Sequence, residues 1–262
     1  MFMTKKNHRI LRNYIWIPLL YLIGMMSLVI PGSPSAQTLF EVGPVTSHES
    51  ADPFILYPVG LKFDVFRKGT RVGSHKVSFG RDGDQLIVES EFKLKVKVFF
   101  VTAYKFVFEA TGIWQGGALV SIKGNVNDNG KKIKIDAYRD DDGKFFTTGK
   151  KGEFVADSWV YPTTHWNIGS VDQSAVLNML TGNLDKVLVR RLGIETIETL
   201  TGSLEAEKFE YTGDLRDTNV WYDREGRWVK MVFTTKSGET IEYVCRECGV
   251  VNIIDQASAS EL

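Results

Sequence analysis

The residues best equipped for chemistry fall in one short segment, Pro162-Thr-Thr-His-Trp-Asn167, where an imidazole, an indole and an amide lie together with no hydrophobic period. Function concentrates in such irregular loops when a rigid scaffold holds them. His165 titrates near neutrality and can serve as a general acid or base. A hydrolase or lyase built on the segment would use His165 as base, with Asn127, Asn129 or Asn167 orienting the substrate. A binding module would instead use Trp166 as an apolar wall, with His165, Asn167, Asn127 and Asn129 as the few polar contacts of a small-molecule pocket. The structural alternative has His165 and Asn167 bonding backbone groups freed by the irregular chain while Trp166 seals the end of a sheet. Asn127-Asp-Asn-Gly130 is likewise explained by a turn, because Asn and Gly tolerate positive φ.

Other chemistries find less support. Beyond the N-terminal 36 residues the histidines are His48, His75 and His165, none spaced as a metal ligand pair, so neither a metal nor a cofactor is expected. A G-x-S-x-G elbow is lacking. Cys245 and Cys248 are the only cysteines. A disulfide between them is expected in an oxidising compartment, but residues three apart on a strand face opposite sides, so pairing requires the strand to stop at Val244. A redox pair of the thioredoxin kind would need a helix N-terminus and a βαβ context that the pattern does not offer. Lys93, Lys95 and Lys97, with Lys105 in the following strand, form a basic line suited to anionic headgroups, polysaccharide or a partner, and equally to the wet face of a sheet.

The element that must position these residues is a sheet. From Gln85 to Phe100 the residues Leu86, Val88, Phe92, Leu94, Val96, Val98 and Phe100 alternate with Glu89, Glu91, Lys93, Lys95 and Lys97, the period-two signature of a strand with one buried face. Lys68-Gly69, Asp82-Gly83, Gly116-Gly117, Asn129-Gly130 and Asp142-Gly143 punctuate the strands between Leu61 and Thr148 as turns of a meander. Strands return after Lys186: Lys186 to Leu192, Ile194 to Leu200, Glu205 to Gly213, Thr218 to Asp223, Arg227 to Thr235 and Glu239 to Val244. Between them, Asp157 to Thr181 is predicted to cross over with a short helix capped by Ser170 and Gln173 and ended by Gly182. The fold class is therefore all-β, an antiparallel meander forming a roll or open barrel with a short helical crossover.

Residues 1–36 combine a basic start, an apolar run from Tyr14 to Ile30 and the small-residue exit Ser33-Pro-Ser-Ala36. This is the grammar of a signal peptide cleaved near Ala36; the alternative is an uncleaved inner-membrane anchor over residues 14–30. The protein is thus expected to be exported and periplasmic, touching a membrane only through that segment. Residues 37–58, with Pro44, Pro53 and Pro58, read as a linker outside the core, 59–248 as the β domain and 249–262 as a C-terminal tail. Loss of Lys5, Lys6, Arg9 and Arg12 with the leader leaves 28 basic against 32 acidic residues. A mildly acidic mature chain argues against nucleic-acid binding, which needs a strong positive field.

In the segments Phe63-Asp-Val-Phe-Arg-Lys-Gly-Thr-Arg-Val-Gly-Ser-His75, Asn127 to Gly130, Pro162 to Asn167, Trp221-Tyr-Asp223 and Gly226-Arg-Trp-Val-Lys230, the chain resembles domain-of-unknown-function family 6134, a bacterial exported family. The resemblance covers about 61–244 and implies a spiral or roll-like antiparallel sheet. It implies no activity, and the Cys245/Cys248 pair falls outside its motifs. The resulting expectation is an envelope binding or scaffolding module without catalysis, taking a hydrophobic or lipid-like molecule or an envelope component as partner; the alternative is the His165 hydrolase or lyase.

Overall fold

The alternation at 85–98 becomes a strand whose even positions from Val88 to Leu94 are buried and whose lysines face water, but Phe100, which the pattern assigns to the buried face, falls in the turn after the strand and is fully exposed. In the computed structural model, which describes residues 52–249 apart from 157, 158, 216 and 236, Val88, Phe92 and Leu94 lie in the core while Lys93, Lys95 and Lys97 are exposed. The leader, most of the linker and the tail after Gly249 lie outside the described residues.

The first half of the domain is a meander of eight strands: β1 (Leu61–Arg67), β2 (Thr70–Asp82), β3 (Gln85–Val98), β4 (Val101–Gln115), β5 (Ala118–Asp128), β6 (Lys131–Arg139), β7 (Phe145–Gly149) and β8 (Gly152–Ala156). The second half supplies β9 (Tyr161–Pro162), β10 (Ala175–Leu177), β11 (Leu184–Thr199), β12 (Gly202–Gly213), β13 (Thr218–Tyr222), β14 (Trp228–Thr234) and β15 (Thr240–Glu247). All fifteen belong to one sheet in the order β8-β7-β6-β5-β4-β3-β2-β1-β15-β14-β13-β12-β11-β10-β9. The two halves therefore wind outward in opposite directions from a seam where β1 pairs with β15. Every recorded pairing is antiparallel except the short β9–β10 pair.

The sheet curls until its two ends meet. Near β8 and β10, Lys150 N donates to Thr181 O at 2.9 Å, Thr147 Oγ1 to Gly182 O at 2.9 Å and Lys151 N to Asn183 Oδ1 at 3.1 Å. Gly149 allows this approach, since a Cβ there would strike the side chain and backbone of Asn183. The enclosed space is filled by Trp114, Trp166, Trp228, Tyr57, Phe63 and their neighbours, all nearly inaccessible to solvent. It is a packed core.

Four local expectations are corrected. The two strands expected at 186–192 and 194–200 are one, β11, because a bulge at Leu192, beside Gly193 at positive φ, lets the ladder with β12 continue to Thr199. The crossover helix is a five-residue 3-10 turn, Ile168–Asp172, capped by Asn167, whose Oδ1 accepts from Gly169 N; Val176 and Leu177 form β10 instead of extending a helix. The linker does not end at 58 as an outside arm: Asp52 caps the short helix α1 (Pro53–Leu56), and Tyr57 is 1% exposed inside the core. The strand bearing Cys245 does not stop at Val244. β15 runs to Glu247, and Arg246 is an extra residue opposite the step from Lys62 to Phe63. That bulge resets the alternation, so Cys245 and Cys248 reach each other with Cα atoms 6.0 Å apart and form a disulfide in the core.

Candidate functional site

The Pro162–Asn167 segment enters the barrel as a plug. Three tyrosines hold it there. Tyr57 Oη donates to Trp166 O at 2.9 Å and accepts from Trp228 N at 2.8 Å, Tyr222 Oη donates to His165 O at 2.9 Å, and the Tyr211 and Tyr222 hydroxyls both meet Ser170 Oγ. Trp166 packs edge-on against Trp114 at 5.2 Å and Phe79 at 5.3 Å. Burial raises the pKa of all three tyrosines well above the ordinary phenol value, so they remain protonated donors. His165 takes φ +55° to make the turn and places its ring against Tyr211 and Trp228. Desolvation lowers its pKa to about 4. A neutral imidazole results, with Nδ1 buried and unpartnered.

His75, whose ring also packs against Trp228, is enclosed more completely. Its ring lies 5.4 to 6.4 Å from those of Phe63, Phe92, Trp228 and Tyr243, and neither ring nitrogen has a hydrogen-bond partner. Burial drives its pKa to about 3, with a smaller contribution from His165.

Asn127 and Asn129 are elsewhere, in the β5–β6 hairpin. Asn127 Oδ1 accepts from Gly130 N at 2.8 Å, and Asn129 adopts φ +50° with its N–H on Lys105 O. Both serve the turn geometry there. The structure thus brings His165, Trp166 and Asn167 together and leaves Asn127 and Asn129 apart from them.

Two surface cavities are candidates for a ligand. The first, about 350 Å³, is walled by Trp166, Asn167 and Ile168 and by charged residues of β12 and the β13–β14 turn. His165 is not in its wall. Its charges answer one another: Arg191 meets Glu207 at 3.2 Å, Arg224 meets Glu205 at 3.9 Å and Asp223 meets Arg227 at 2.6 Å.

The second cavity, about 840 Å³, is a cleft in the sheet itself. The ladder between β2 and β3 ends at Gly73 and Leu94, although β2 begins three residues earlier and β3 runs four residues further. Gly73 marks the last close approach, for a Cβ there would collide with Lys93 O. Beyond it the strands part. Arg67, Lys68 and Arg71 stand on one side and Lys93, Lys95, Lys97 and Lys105 on the other, with Val72, Leu94, Val96, Phe106 and Val107 giving apolar surface and no carboxylate in the lining. Glu239 pairs with Arg67 and Lys68, Asp64 with Arg71, and Glu91 with Lys93. Lys95, Lys97 and Lys105 have no carboxylate partner among the described residues. Moreover Lys95 and Lys105 sit directly opposite each other in the β3–β4 ladder. Like charges in that position oppose pairing, so an anion between them would relieve a repulsion built into the fold.

Only half of this cleft was visible in the sequence, as the Lys93-Lys95-Lys97 line and Lys105. Lys68 read as part of the Lys68-Gly69 turn, and Arg67 and Arg71 carried no site assignment. Their charge in Arg67-Lys-Gly-Thr-Arg71 was a signal, but only register sets it beside β3.

A family model described as a domain of unknown function, DUF6134, matches residues 63–246. No curated protein matches the chain. Among solved structures, a β-barrel-like protein of the domain-of-unknown-function family DUF1849 from Brucella abortus superposes with a TM-score of 0.50 at 11% identity, covering 74% of this chain and 97% of that one. At that identity the likeness concerns the fold alone.

Proposed function

Because the chain belongs to the DUF6134 family of domains of unknown function, its role has to be read from the site, and we propose an exported, non-catalytic envelope module that binds a lipid-like anion in the cleft between β2 and β3. One observation carries the reading: a cavity of about 840 Å³ that combines seven cations with an apolar floor and has no carboxylate in its lining. Its size falls within the ordinary range for small-molecule sites, and its chemistry divides into a charged rim for a headgroup and Leu94, Val96 and Phe106 for a hydrocarbon segment. Compared with the cavity beside Trp166, this one leaves charges unanswered. The plug residues His165, Trp166 and Asn167 then serve the barrel's interior, and ligand recognition passes to Arg71, Lys95, Lys97 and Lys105.

Native mass spectrometry of the mature protein with lysophosphatidylglycerol, against lysophosphatidylcholine of equal chain length, tests this. A one-to-one complex that prefers the anionic lipid and weakens at least tenfold in Lys95→Gln/Lys105→Gln is expected. Equal retention of both lipids by that variant and by wild type would remove the cleft from consideration.

A further inference from the structure

The β3–β4 hairpin outruns its neighbours. Pairing of β3 with β2 stops at Leu94 and the β4–β5 ladder begins at Phe106, so beyond the Lys105 O bond from Asn129 N the ladder of residues 95–98 with 101–104 has no neighbouring strand on either side. At about 3.3 Å per residue the overhang is about 13 Å long. Its tip carries Phe99, Phe100 and Val101, 93%, 100% and 71% exposed, which makes it the most exposed large apolar group on the described surface. The tip's backbone does not call for such residues. Phe99 stands at φ +54°, a conformation that Gly or Asn adopts more readily than a bulky side chain; the two-residue turns at 68–69, 83–84, 116–117 and 129–130 each include a Gly, those at 150–151 and 200–201 are built of Lys, Leu and Thr, and only 99–100 is filled by two aromatic rings. Immediately behind the tip stand Lys97, Lys95 and Lys105, with Arg67 and Lys68 in the adjacent β1–β2 turn at the same end of the sheet.

We propose that the β3–β4 hairpin is a membrane-docking finger: Phe99, Phe100 and Val101 enter the interfacial layer of an anionic bilayer while Lys95, Lys97, Lys105 and Lys68 contact its headgroups. Charge complementarity selects this occupant. A neutral protein partner would satisfy the aromatics but leave the lysine collar unanswered, and a soluble polyanion would answer the lysines but leave two phenylalanines in water. Apolar side chains of this size enter the headgroup and acyl boundary to a depth of about 5–10 Å, which the overhang accommodates without moving the barrel. Each basic residue near an anionic surface adds roughly a fivefold gain in binding, and the sum falls as salt rises. The proposal does not require the neighbouring cleft to hold a ligand, though a finger at the rim of a lipid-binding cleft would be placed to collect its cargo from a bilayer.

Co-sedimentation of the mature protein with phosphatidylcholine vesicles, with and without about 30% phosphatidylglycerol, is the test. Wild type is expected to bind the anionic vesicles at least tenfold more tightly than the neutral ones, and to weaken at high salt. Phe99→Gly/Phe100→Ser, a pair that suits a turn with positive φ at its first central position, should keep the wild-type melting temperature and its lysophosphatidylglycerol complex while losing anionic-vesicle binding at least tenfold. Lys95→Gln/Lys97→Gln should cut the preference for anionic lipid by roughly 25-fold, the loss of two of the four contacting lysines. Equal vesicle binding by wild type and Phe99→Gly/Phe100→Ser overturns the proposal, as does failure of wild type to bind anionic vesicles. Loss of the lysophospholipid complex in Lys95→Gln/Lys105→Gln, with vesicle docking intact in Phe99→Gly/Phe100→Ser, would uphold the cleft and sink the finger.

Discussion

Acid should unfold this protein through two histidines that have no business being charged where they are. His75 and His165 both pack against Trp228 inside the barrel, with burial holding their folded-state pKa values at about 3 and about 4 against 6.5 for an open imidazole. Both values are depressed, so the unfolded chain binds two protons that the folded chain excludes. The stability of the neutral forms is complete above pH 6.5 and is lost as pH falls toward 4 and then 3. At pH 5 each unfolded imidazole is almost fully protonated and each folded one almost fully neutral. The difference is about 1.5 pH units at 1.36 kcal/mol per unit, or about 2 kcal/mol per histidine and about 4 kcal/mol for the pair relative to pH 7.5. His75→Phe isolates one of them. The cage of Phe63, Phe92, Trp228 and Tyr243 already suits an aromatic ring, and the substitution removes two unpartnered nitrogens from it. Urea melts from pH 7.5 to 5 should show the wild type losing about 4 kcal/mol and His75→Phe about 2 kcal/mol, beyond what the carboxylates contribute to both. An identical pH slope in the two proteins would refute the reasoning, because it would mean that His75 gains its proton without leaving the core.

Leu94→Ala should cost about 2–5 kcal/mol, since Leu94 is buried, whereas Lys93→Ala on the opposite face should stay within about 0.5 kcal/mol; comparable losses in urea melts would contradict the face assignment. Tyr57→Phe leaves Trp166 O and Trp228 N without their shared hydroxyl and should cost about 1–3 kcal/mol, with a lower melting temperature and red-shifted tryptophan emission as readouts; a stability equal to wild type would show that the plug is held without it. Alkylation before and after reduction, read by mass, should find Cys245 and Cys248 protected only before reduction; two alkylated thiols in unreduced envelope protein would contradict the pairing. N-terminal sequencing of envelope material should return a start near Gln37, and Met1 would instead indicate an anchor.

Much of the architecture was legible because a strand writes its burial into a period of two. Leu86 to Val98 alternate with charged residues, and glycine turns separate the strands, so an antiparallel all-β meander follows from local chemistry, whereas the seam between β1 and β15 does not. The disulfide was legible in part: composition and spacing brought Cys245 and Cys248 together, but the means of pairing, a bulge at Arg246, is a property of the ladder with β1. Periodicity failed at 168–182, where Val171, Val176, Leu177 and Leu180 fit a helical stripe, because the backbone of Ala175–Leu177 pairs with β11 and β9 and only short turns flank it, in place of one continuous helical ladder. Tyr57 escaped notice among prolines because its burial depends on partners 109 and 171 residues away.

For function the division is sharper. Residue type alone placed His165 among general bases, and burial among Tyr211 and Trp228 turned it into a neutral core group. The sequence also displayed Lys93, Lys95, Lys97 and Lys105, which period two assigned to one wet face. That Lys95 opposes Lys105, that Arg67, Lys68 and Arg71 share their cleft, and that Phe99 and Phe100 stand beyond every neighbouring strand depend on register and on where each ladder stops. Those are differences in pairing between distant segments. A local pattern encodes which face of a strand is wet; only the assembled sheet decides which wet residues become neighbours.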